Sequence, residues 1–333
     1  MSVKVIYRSF NHSKKQPIFS IFFKDYIDHR YSLKALKSVM IQTTSSEDYE
    51  VILLTDQEDI TQYKDIMDKY GVNYTIVVTG LIRLGESYVT FLEFCNGTFV
   101  CPIDNDDTWV KEKLETLKGF ISKYHDISFI KGQVSVISES GNNFYTKLRL
   151  LLKMNIPIRT SNRYYILNTL KTKKILGRSL WHNASSMVIR TSILVESKDI
   201  LRNIFAMDDP YLFFFGLSSG GTAIFMDKFL SYYLVRNNSK TSRDRYSSNY
   251  LEISYEYERF IQTFDKKYMK NQNSTLRDLY LLSKSTSSLL IFQGITRDSH
   301  INWTEVKKAL KISINYRMHN FIFLYLYSLF RPS

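Results

Sequence analysis

The sequence predicts an α/β fold with a mixed, mainly parallel sheet, helices on both of its faces and a helical C-terminal extension. Within residues 1–140, short apolar segments alternate with segments of helical spacing four times. The apolar segments carry few polar side chains, which is typical of strands that are buried on both faces. Strands and helices in this alternation form a parallel sheet, because each crossover helix covers one face.

The elements of this first part can be assigned in chain order. The run Ile18–Phe23 is apolar and aromatic except for one serine, and it has the length of a buried strand. Leu33 and Leu36 then begin a helical spacing. Further strands are predicted at 51–54, 74–78, 98–103 and 127–138, and further helices at 59–70, 86–95 and 111–123. Gly71 and Gly97 follow two of these helices, where glycine commonly ends a helix.

The second part of the chain is less regular. Strand or short helical pieces are predicted at 185–195 and 222–226, a polar basic linker at 237–249, and helices at 251–264, 276–292 and 303–330. The last helix contains the apolar run Phe321–Phe330, which is shorter than the roughly 18 to 20 residues that cross a bilayer. Lysines and arginines flank this run, so it either lies in a membrane interface or packs on the domain. Residues 1–16 are polar and basic, so we expect no signal peptide.

Composition narrows the class of protein. The formal net charge of +13 indicates an anionic partner, which could be a nucleotide, a nucleic acid or a membrane surface. The 2 cysteines are too few for a disulfide framework, and we expect Cys95 and Cys101 to be free thiols in a reducing, cytoplasmic compartment.

A cluster of carboxylates follows the predicted strand at 98–103. It reads Asp104-Asn105-Asp106-Asp107, and its acids would repel each other without a cation. Oxygen ligands of this kind suit Mg²⁺ or Mn²⁺, which also bind the phosphates of a substrate. The alternative is that the cluster caps the helix predicted at 111–123.

At these carboxylates the sequence resembles the family 2 glycosyltransferases, which have the GT-A fold. Five blocks carry the resemblance, and they follow one another in the order of the family. They are Pro17–Phe23 with Leu33–Val39 and Gln42; Tyr49–Asp56; Gly97–Trp109, which contains the family's DXD motif; Met207–Leu212 with Gly220; and Tyr232–Arg236 with Ser239 and Ser242. The third and fourth blocks are the specific ones. The resemblance spans residues 17–245, and it implies a GT-A domain at 1–245 and a helical C-terminal region at 246–333.

The resemblance also implies different binding roles for the two parts of the GT-A domain. Residues 1–140 would bind the nucleotide, and residues 141–245 would bind the acceptor. Asp104 and Asp106 match the ends of the DXD motif and would hold Mn²⁺ or Mg²⁺ with the diphosphate of the donor. Asp56 would contact the base or the ribose, and Arg83 and Arg236 would be further nucleotide contacts. A UDP-sugar is the favoured donor, and a GDP-sugar is the alternative.

The fourth block implies the chemistry. Asp209 matches the catalytic base, which takes the proton of the acceptor hydroxyl, and Asp208 matches the supporting acid. The Asp208-Asp209-Pro210 step is also an ordinary helix start with proline in the first turn. Two departures stand out, because the opening strand ends in Lys24-Asp25-Tyr26 rather than in a Thr-x-Asn turn, and Asp208 stands where the family has Glu.

The function implied is that of a hexosyltransferase that moves one sugar at a time to a glycan or a lipid-linked saccharide. No Gln-x-x-Arg-Trp signature of processive synthases is present. We expect the protein to be cytoplasmic or peripheral on the cytoplasmic face of a membrane. Two alternatives are a sugar-nucleotide nucleotidyltransferase and a basic nucleic-acid-binding protein. The former needs a glycine-rich loop after the first strand, which Ile18–Leu33 lacks, and the latter lacks a recognisable motif.

Overall fold

The structure is a computed structural model, and it describes residues 3–9, 15–138, 158–160, 183–204, 207–219, 221–235 and 303–315. The helices predicted at 251–264 and 276–292, the linker at 237–249, the apolar run Phe321–Phe330 and Arg236 lie outside the described residues. The chain divides into two compact units, which comprise residues 1–161, 183–203 and 208–235, and residues 162–182, 204–207 and 236–333.

The first unit is an α/β unit. Its strands are β1 (Val3–Ser9), β2 (Phe19–Asp25), β3 (Tyr49–Thr55), β4 (Asn73–Thr79), β5 (Phe99–Asp104), β6 (Thr108–Trp109), β7 (Ile127–Ser138), β8 (Ile158–Thr160), β9 (Met187–Arg190) and β10 (Thr222–Val235). Its helices are α1 (Ser32–Met40), α2 (Thr61–Lys69), α3 (Leu84–Leu92), α4 (Lys113–Lys123), α5 (Thr191–Glu196), α6 (Lys198–Leu201) and α7 (Asp209–Ser218). The second unit contributes α8 (Trp303–Asn315). No helix in the described part of the chain has both the length and the apolar character to cross a bilayer.

The strands of the described residues form one mixed sheet in the order β1-β4-β3-β2-β5-β9-β7-β10-β6, and β8 pairs with β10. The β4-β3-β2-β5 segment is parallel, and so is the long β7-β10 ladder. The ladders of β1, β6, β8 and β9 are antiparallel. The predicted mixed sheet with a parallel centre is therefore confirmed.

The alternation of side chains in β2 places helices on both faces of the sheet. Ile21 and Phe23 belong to an apolar cluster that includes side chains of α1, α2 and α4. Phe22 points to the other face, where its ring stacks on Phe91 of α3 at 4.5 Å between centroids and meets Tyr88 edge-on at 4.7 Å. Because both faces are covered, the run Ile21–Phe23 of β2 is apolar, and the polar Ser20, Lys24 and Asp25 are buried with hydrogen-bonding partners.

Three local features differ from the sequence prediction. The N-terminal segment, which belongs to the polar and basic residues 1–16, forms the edge strand β1. Gly71 follows α2 with a φ of 61° and ends that helix, as predicted. Gly97 does not end α3, because that helix already ends at Leu92. Its N–H donates to Ser20 Oγ at 2.7 Å, and its Cα lies against the backbone of β2. The carboxylates at 104–107 do not cap α4, because β6 intervenes and α4 begins only at Lys113.

Candidate active site

The carboxyl ends of β2, β3 and β5 meet at one edge of the sheet, and the predicted site residues Asp56 and Asp104 lie there. Lys24 of β2 is the register partner of Asp104, the last residue of β5. Asp56 directly follows β3, which is the other parallel neighbour of β2. In open α/β sheets, ligands bind beyond this edge of the parallel strands.

The turn Asp104–Asp107, which we call the DXD turn after its Asp-Asn-Asp sequence, is held in place by the side chain of Asn105. The N–H of Asp107 donates to the carbonyl oxygen of Asp104 at 3.1 Å, which closes the turn. The amide of Asn105 donates to the carbonyl oxygen of Asp28 at 2.6 Å and to Asp25 Oδ1 at 3.1 Å. Asn105 therefore points back to the loop after β2. The side chain of Asp104 is 39% exposed, so it can meet a ligand.

Asp25 is a buried junction beneath this turn. It is fully buried at the end of β2, and it accepts a hydrogen bond from the hydroxyl of Tyr63 at 2.6 Å. Other donors and close partners among the described residues are Ser32, Thr55, Gln57, Asn105 and His29. One carboxylate thus ties together β2, α1, β3, α2 and the DXD turn. Its surroundings explain why the opening strand ends in an acid.

Lys24 links Asp104, the last residue of β5, to Asp208, which precedes α7. Its Nζ lies 2.8 Å from Asp104 Oδ1 and 2.5 Å from Asp208 Oδ2, and the residue is only 8% exposed. The hydroxyl of Tyr88 also donates to Asp208 Oδ2, at 2.7 Å. Asp208 is the residue before α7, but its side chain does not cap that helix. The carboxylate is directed to Lys24 and Tyr88 instead.

The charges in this cluster oppose the effect of burial. Burial alone would lower the pKa of Lys24, but the carboxylates of Asp104 and Asp208 more than offset it, so its pKa is raised. Burial would likewise raise the pKa of Asp208, whereas Lys24 and Tyr88 outweigh it and lower that pKa. Lys24 and Asp208 therefore form a charged pair at neutral pH.

Asp209, the first residue of α7, behaves in the opposite way. Burial and the neighbouring charges of Asp208 and Asp104 raise its pKa to about 8. The backbone N–H of Asn183 donates to Asp209 Oδ2 at 2.9 Å, which lowers this pKa only in part. Two adjacent acids thus have opposite protonation, and the pKa of Asp209 lies where a carboxyl group can exchange a proton near neutral pH.

A short strap, Asn183–Ser186, joins Asp209 to the DXD turn. The side-chain amide of Asn183 donates to Asp107 Oδ2 at 2.6 Å, and its φ of 71° directs the backbone N–H toward Asp209. The strap is held from behind by the buried Lys113, whose Nζ donates to the carbonyl oxygen of Ser185 at 2.8 Å. Burial lowers the pKa of Lys113 to about 7. The sequence contains no pattern that predicts this strap.

The remaining predicted residues lie apart from this cluster or outside the described residues. Asp56 Oδ1 lies 3.2 Å from Nε2 of His29, and His29 Nδ1 lies 2.8 Å from Asp25 Oδ1. Arg83 precedes α3 with an exposed side chain, and its N–H donates to Glu86 Oε2 at 3.4 Å. Arg236 is outside the described residues.

The carboxylates suit a divalent cation that is shared with a ligand. Asp104 and Asp106 supply hard oxygen donors, and Mg²⁺ is commonly held by one or two carboxylates together with substrate phosphates. Within the described ranges, no group of three or more His, Cys, Asp or Glu side chains could hold a metal by itself. The residues therefore fit a cation whose remaining ligands come from a diphosphate and water.

Comparisons with solved structures return glycosyltransferases of low sequence identity. S. aureus TarS has 16% identity and a TM-score of 0.48; the match covers 90% of this chain and 54% of TarS, so the chain spans about half of its length. TarS 1–349 in complex with UDP has 16% identity and a TM-score of 0.49, over 90% of this chain and 89% of that one. The mannosyltransferase PcManGT from Pyrobaculum calidifontis, in complex with GDP-Man and Mn²⁺, has 12% identity and a TM-score of 0.49, over 96% and 89%.

The family model gives the direct evidence of kinship. No curated protein matches the chain in sequence. Residues 30–194 match the model described as glycosyl transferase family 2. This region contains Asp56, the DXD turn and the strap, and it ends before Asp208 and Asp209. The match shows that residues 30–194 form a glycosyl transferase family 2 domain.

Proposed function

We propose that this glycosyltransferase moves one sugar from a nucleoside-diphosphate sugar to a hydroxyl group of a glycan or a lipid-linked saccharide. The observation that carries the proposal is the assembly of Asp104, Asp208 and Asp209 at the carboxyl edge of the parallel strands. Asp104 lies more than 100 residues before Asp208 and Asp209 in the sequence, and Lys24 pairs with both Asp104 and Asp208.

The donor would lie across the edge formed by β2, β3 and β5. Asp104 and Asp106 would hold a divalent cation with the diphosphate, and Asp56, at the end of β3, would meet the nucleoside. Arg83 and Arg236 are further candidates for nucleotide contacts. When bound, the cation would neutralise the charge that develops on the leaving diphosphate.

Asp209 is the proposed general base. Its deprotonated carboxylate takes the proton of the acceptor hydroxyl while the hydroxyl oxygen bonds to the anomeric carbon. The bond from that carbon to the phosphate oxygen breaks, and its electron pair leaves with the diphosphate. A single displacement without a covalent intermediate inverts the anomeric configuration. The backbone N–H of Asn183 holds Asp209 Oδ2, which leaves Oδ1 for the hydroxyl.

The role of Asp209 is tested by Asp209→Asn. Loss of a general base costs about 10²–10⁴-fold in rate, while nucleotide binding should stay close to wild type. The measurement is release of UDP or GDP from UDP-glucose, UDP-N-acetylglucosamine and GDP-mannose, with water or an added saccharide as acceptor. Asp199→Asn, which changes an exposed acid of α6, is the control. Normal turnover in Asp209→Asn, or a product with retained configuration, would remove Asp209 from the mechanism.

The metal and nucleotide site is tested by thermal stability. A ligand that binds only the folded state raises the melting temperature with its concentration. UDP or GDP should raise it with Mn²⁺ or Mg²⁺ present and much less with EDTA. Asp106→Ala should remove this rise, whereas Asp65→Ala, an exposed acid of α2, should keep it. An equal rise in Asp106→Ala would show that the cation binds elsewhere.

A further inference from the structure

Lys24 is an unusual residue for its place in the fold. It stands at the end of an apolar strand whose residues Phe19, Ile21, Phe22 and Phe23 are each 0% exposed. Its side chain lies on the face of α3, and its Nζ is 5.8 Å from the centre of the Tyr88 ring. A lysine is almost never buried unless its charge is paired. Lys24 has two carboxylate partners.

These partners come from separate parts of the chain. Asp104 ends β5, and Asp208 lies immediately before α7, 184 residues after Lys24. The N–H of Leu212 donates to the carbonyl oxygen of Asp208 at 3.0 Å, which is the first hydrogen bond of α7. A contact that holds Asp208 in place therefore also holds the N-terminus of α7, which begins with Asp209.

We propose that Lys24 is a positioning residue for the transfer reaction, because its ammonium group ties the donor-side acid Asp104 to Asp208 and so sets the place of Asp209. This inference rests on the proposed function. Lys24 would thereby connect the donor site, to which Asp104 belongs, with the acceptor site, where Asp209 acts. Without the ammonium, the carboxylates of Asp104 and Asp208 would face each other with no cation between them, and their repulsion would push the start of α7 away from β5.

The bridge has a backup on one side only. Tyr88 also donates to Asp208, so a hydrogen bond to that acid would survive the loss of Lys24. Within the described residues, the carboxylate of Asp104 pairs with Lys24, and the other hydrogen bonds of Asp104 are made by its backbone, including the N–H that donates to Ser185 Oγ at 3.1 Å. The fold should therefore tolerate an uncharged residue at position 24, while the alignment of Asp104 with Asp209 should suffer.

The test compares Lys24→Met with Lys24→Arg and with Lys15→Met. Lys15, whose side chain is 54% exposed, pairs with the buried Asp48 at 2.5 Å, so Lys15→Met removes a lysine–aspartate ion pair from another part of the fold. Each variant is assayed for turnover of the sugar nucleotide and for thermal stabilisation by UDP or GDP with Mn²⁺. Misplacement of about 1 Å can cost roughly 10²-fold in rate. We expect a loss of about 10- to 100-fold in kcat for Lys24→Met, with nucleotide binding nearly unchanged, and partial recovery in Lys24→Arg.

A double variant asks whether Lys24 acts through Asp208. If it does, Lys24→Met combined with Asp208→Asn should lose no more turnover than the more damaged single variant, because the two changes break one linkage. Multiplied losses would overturn the proposal, and so would normal kcat in Lys24→Met. A loss of nucleotide affinity as large as the loss of turnover would instead make Lys24 a donor contact.

Failure of the proposed function would be recognised separately. In that case the wild-type protein itself shows no stabilisation by any nucleotide with metal and no turnover. If Lys24→Met does not fold, the double variant still reports, because Asp208→Asn removes one of the two carboxylates that Lys24 neutralises. Turnover equal to that of Asp208→Asn supports the proposal, and a further loss overturns it.

Discussion

At the scale of single residues, the instructive pair is Asp208 and Asp209. They are neighbours in the chain, yet Lys24 and Tyr88 lower the pKa of the first, whereas burial and the charges of Asp208 and Asp104 raise the pKa of the second to about 8. Enzymes often separate two acids in this way to give them different tasks. Here the charged Asp208 pairs with Lys24, and the neutral Asp209 can exchange a proton.

The raised pKa of Asp209 predicts a pH dependence of stability. In the unfolded chain this carboxyl loses its proton near its ordinary value of 3.8, while in the fold it keeps the proton up to about 8. Between these values the unfolded state binds fewer protons, so Asp209 makes folding less favourable as pH rises. Asp209→Asn should therefore melt at a higher temperature than wild type at pH 8, and the difference should shrink toward pH 4. Melting curves from pH 4 to 9 measure this, and a constant difference would contradict it.

The same pKa predicts the shape of the rate profile. A general base must be deprotonated, so kcat/KM should rise with pH until about pH 8 and then level off, because this ratio reports the free enzyme. A bound cation near Asp209 would move the rise to lower pH. The measurement is kcat/KM from pH 5 to 9, and a profile that is flat below pH 8 at low Mn²⁺ would contradict the assignment.

The sequence predicts part of this site. Asp104 is a candidate because it follows an apolar strand, and Asp208 and Asp209 are candidates because they match a block of the family 2 glycosyltransferases. The bridge through Lys24, the junction at Asp25 and the strap at Asn183 depend on contacts across distant segments. A lysine at the end of a strand predicts no partner by itself, so these contacts emerge only from the fold.

At the scale of elements, β2 is held by close backbone contact as well as by its apolar faces. Gly97 lies directly beside it, before β5 begins. A Cβ at position 97 would lie 2.6 Å from the carbonyl carbon of Phe19 and still closer to the backbone nitrogen of Ser20. Backbone atoms in the centre of a sheet cannot yield as a flexible side chain can, so this position requires glycine.

Two glycine variants should consequently have opposite effects on stability. Gly97→Ala should lower the free energy of unfolding by about 1–3 kcal/mol or more, as overpacking does. Gly119 lies in α4 with no atom within 4 Å of a built Cβ, and Gly119→Ala should add about 0.5–1 kcal/mol, because alanine favours the helix. Urea unfolding of both variants measures this, and a neutral Gly97→Ala would refute the close-contact argument.

Strands with long apolar runs were predictable from the sequence, whereas the edge strand β1 and the first residues of α3 were not. The runs in β2 and β3 predict strands because their side chains are buried on both faces. Edge strand β1 has a short apolar pattern in Val3, Val5, Ile6 and Tyr7, but it lies among the polar and basic residues 1–16, and its antiparallel pairing with β4 stabilises it. Helix α3 begins at Leu84 rather than at Glu86, since its first turn includes a glycine that propensity alone would exclude.

At the scale of the whole molecule, the formal net charge of +13 is not explained by the active site. The site itself is rich in acids, so the excess positive charge lies elsewhere. Helix α8, taken by itself, exposes Lys307, Lys308 and Lys311, together with the apolar Ile314 at 56% and Trp303 at 37%. Basic and aromatic side chains on one helix are typical of segments that bind the surface of an anionic membrane.

We therefore predict salt-dependent binding to acidic vesicles. Each lysine near an anionic surface contributes about 1 kcal/mol, and this attraction is screened by salt. Replacing Lys307, Lys308 and Lys311 with alanine should release the protein from vesicles of mixed neutral and anionic lipid. Replacing Lys34, Lys37 and Lys69, which are exposed on α1 and α2, removes the same charge and should have a much smaller effect. Flotation at low and high salt measures the bound fraction. Equal losses in the two triple variants would show that only the total charge matters, and binding that persists in both and in high salt would rule out electrostatic attachment through α8.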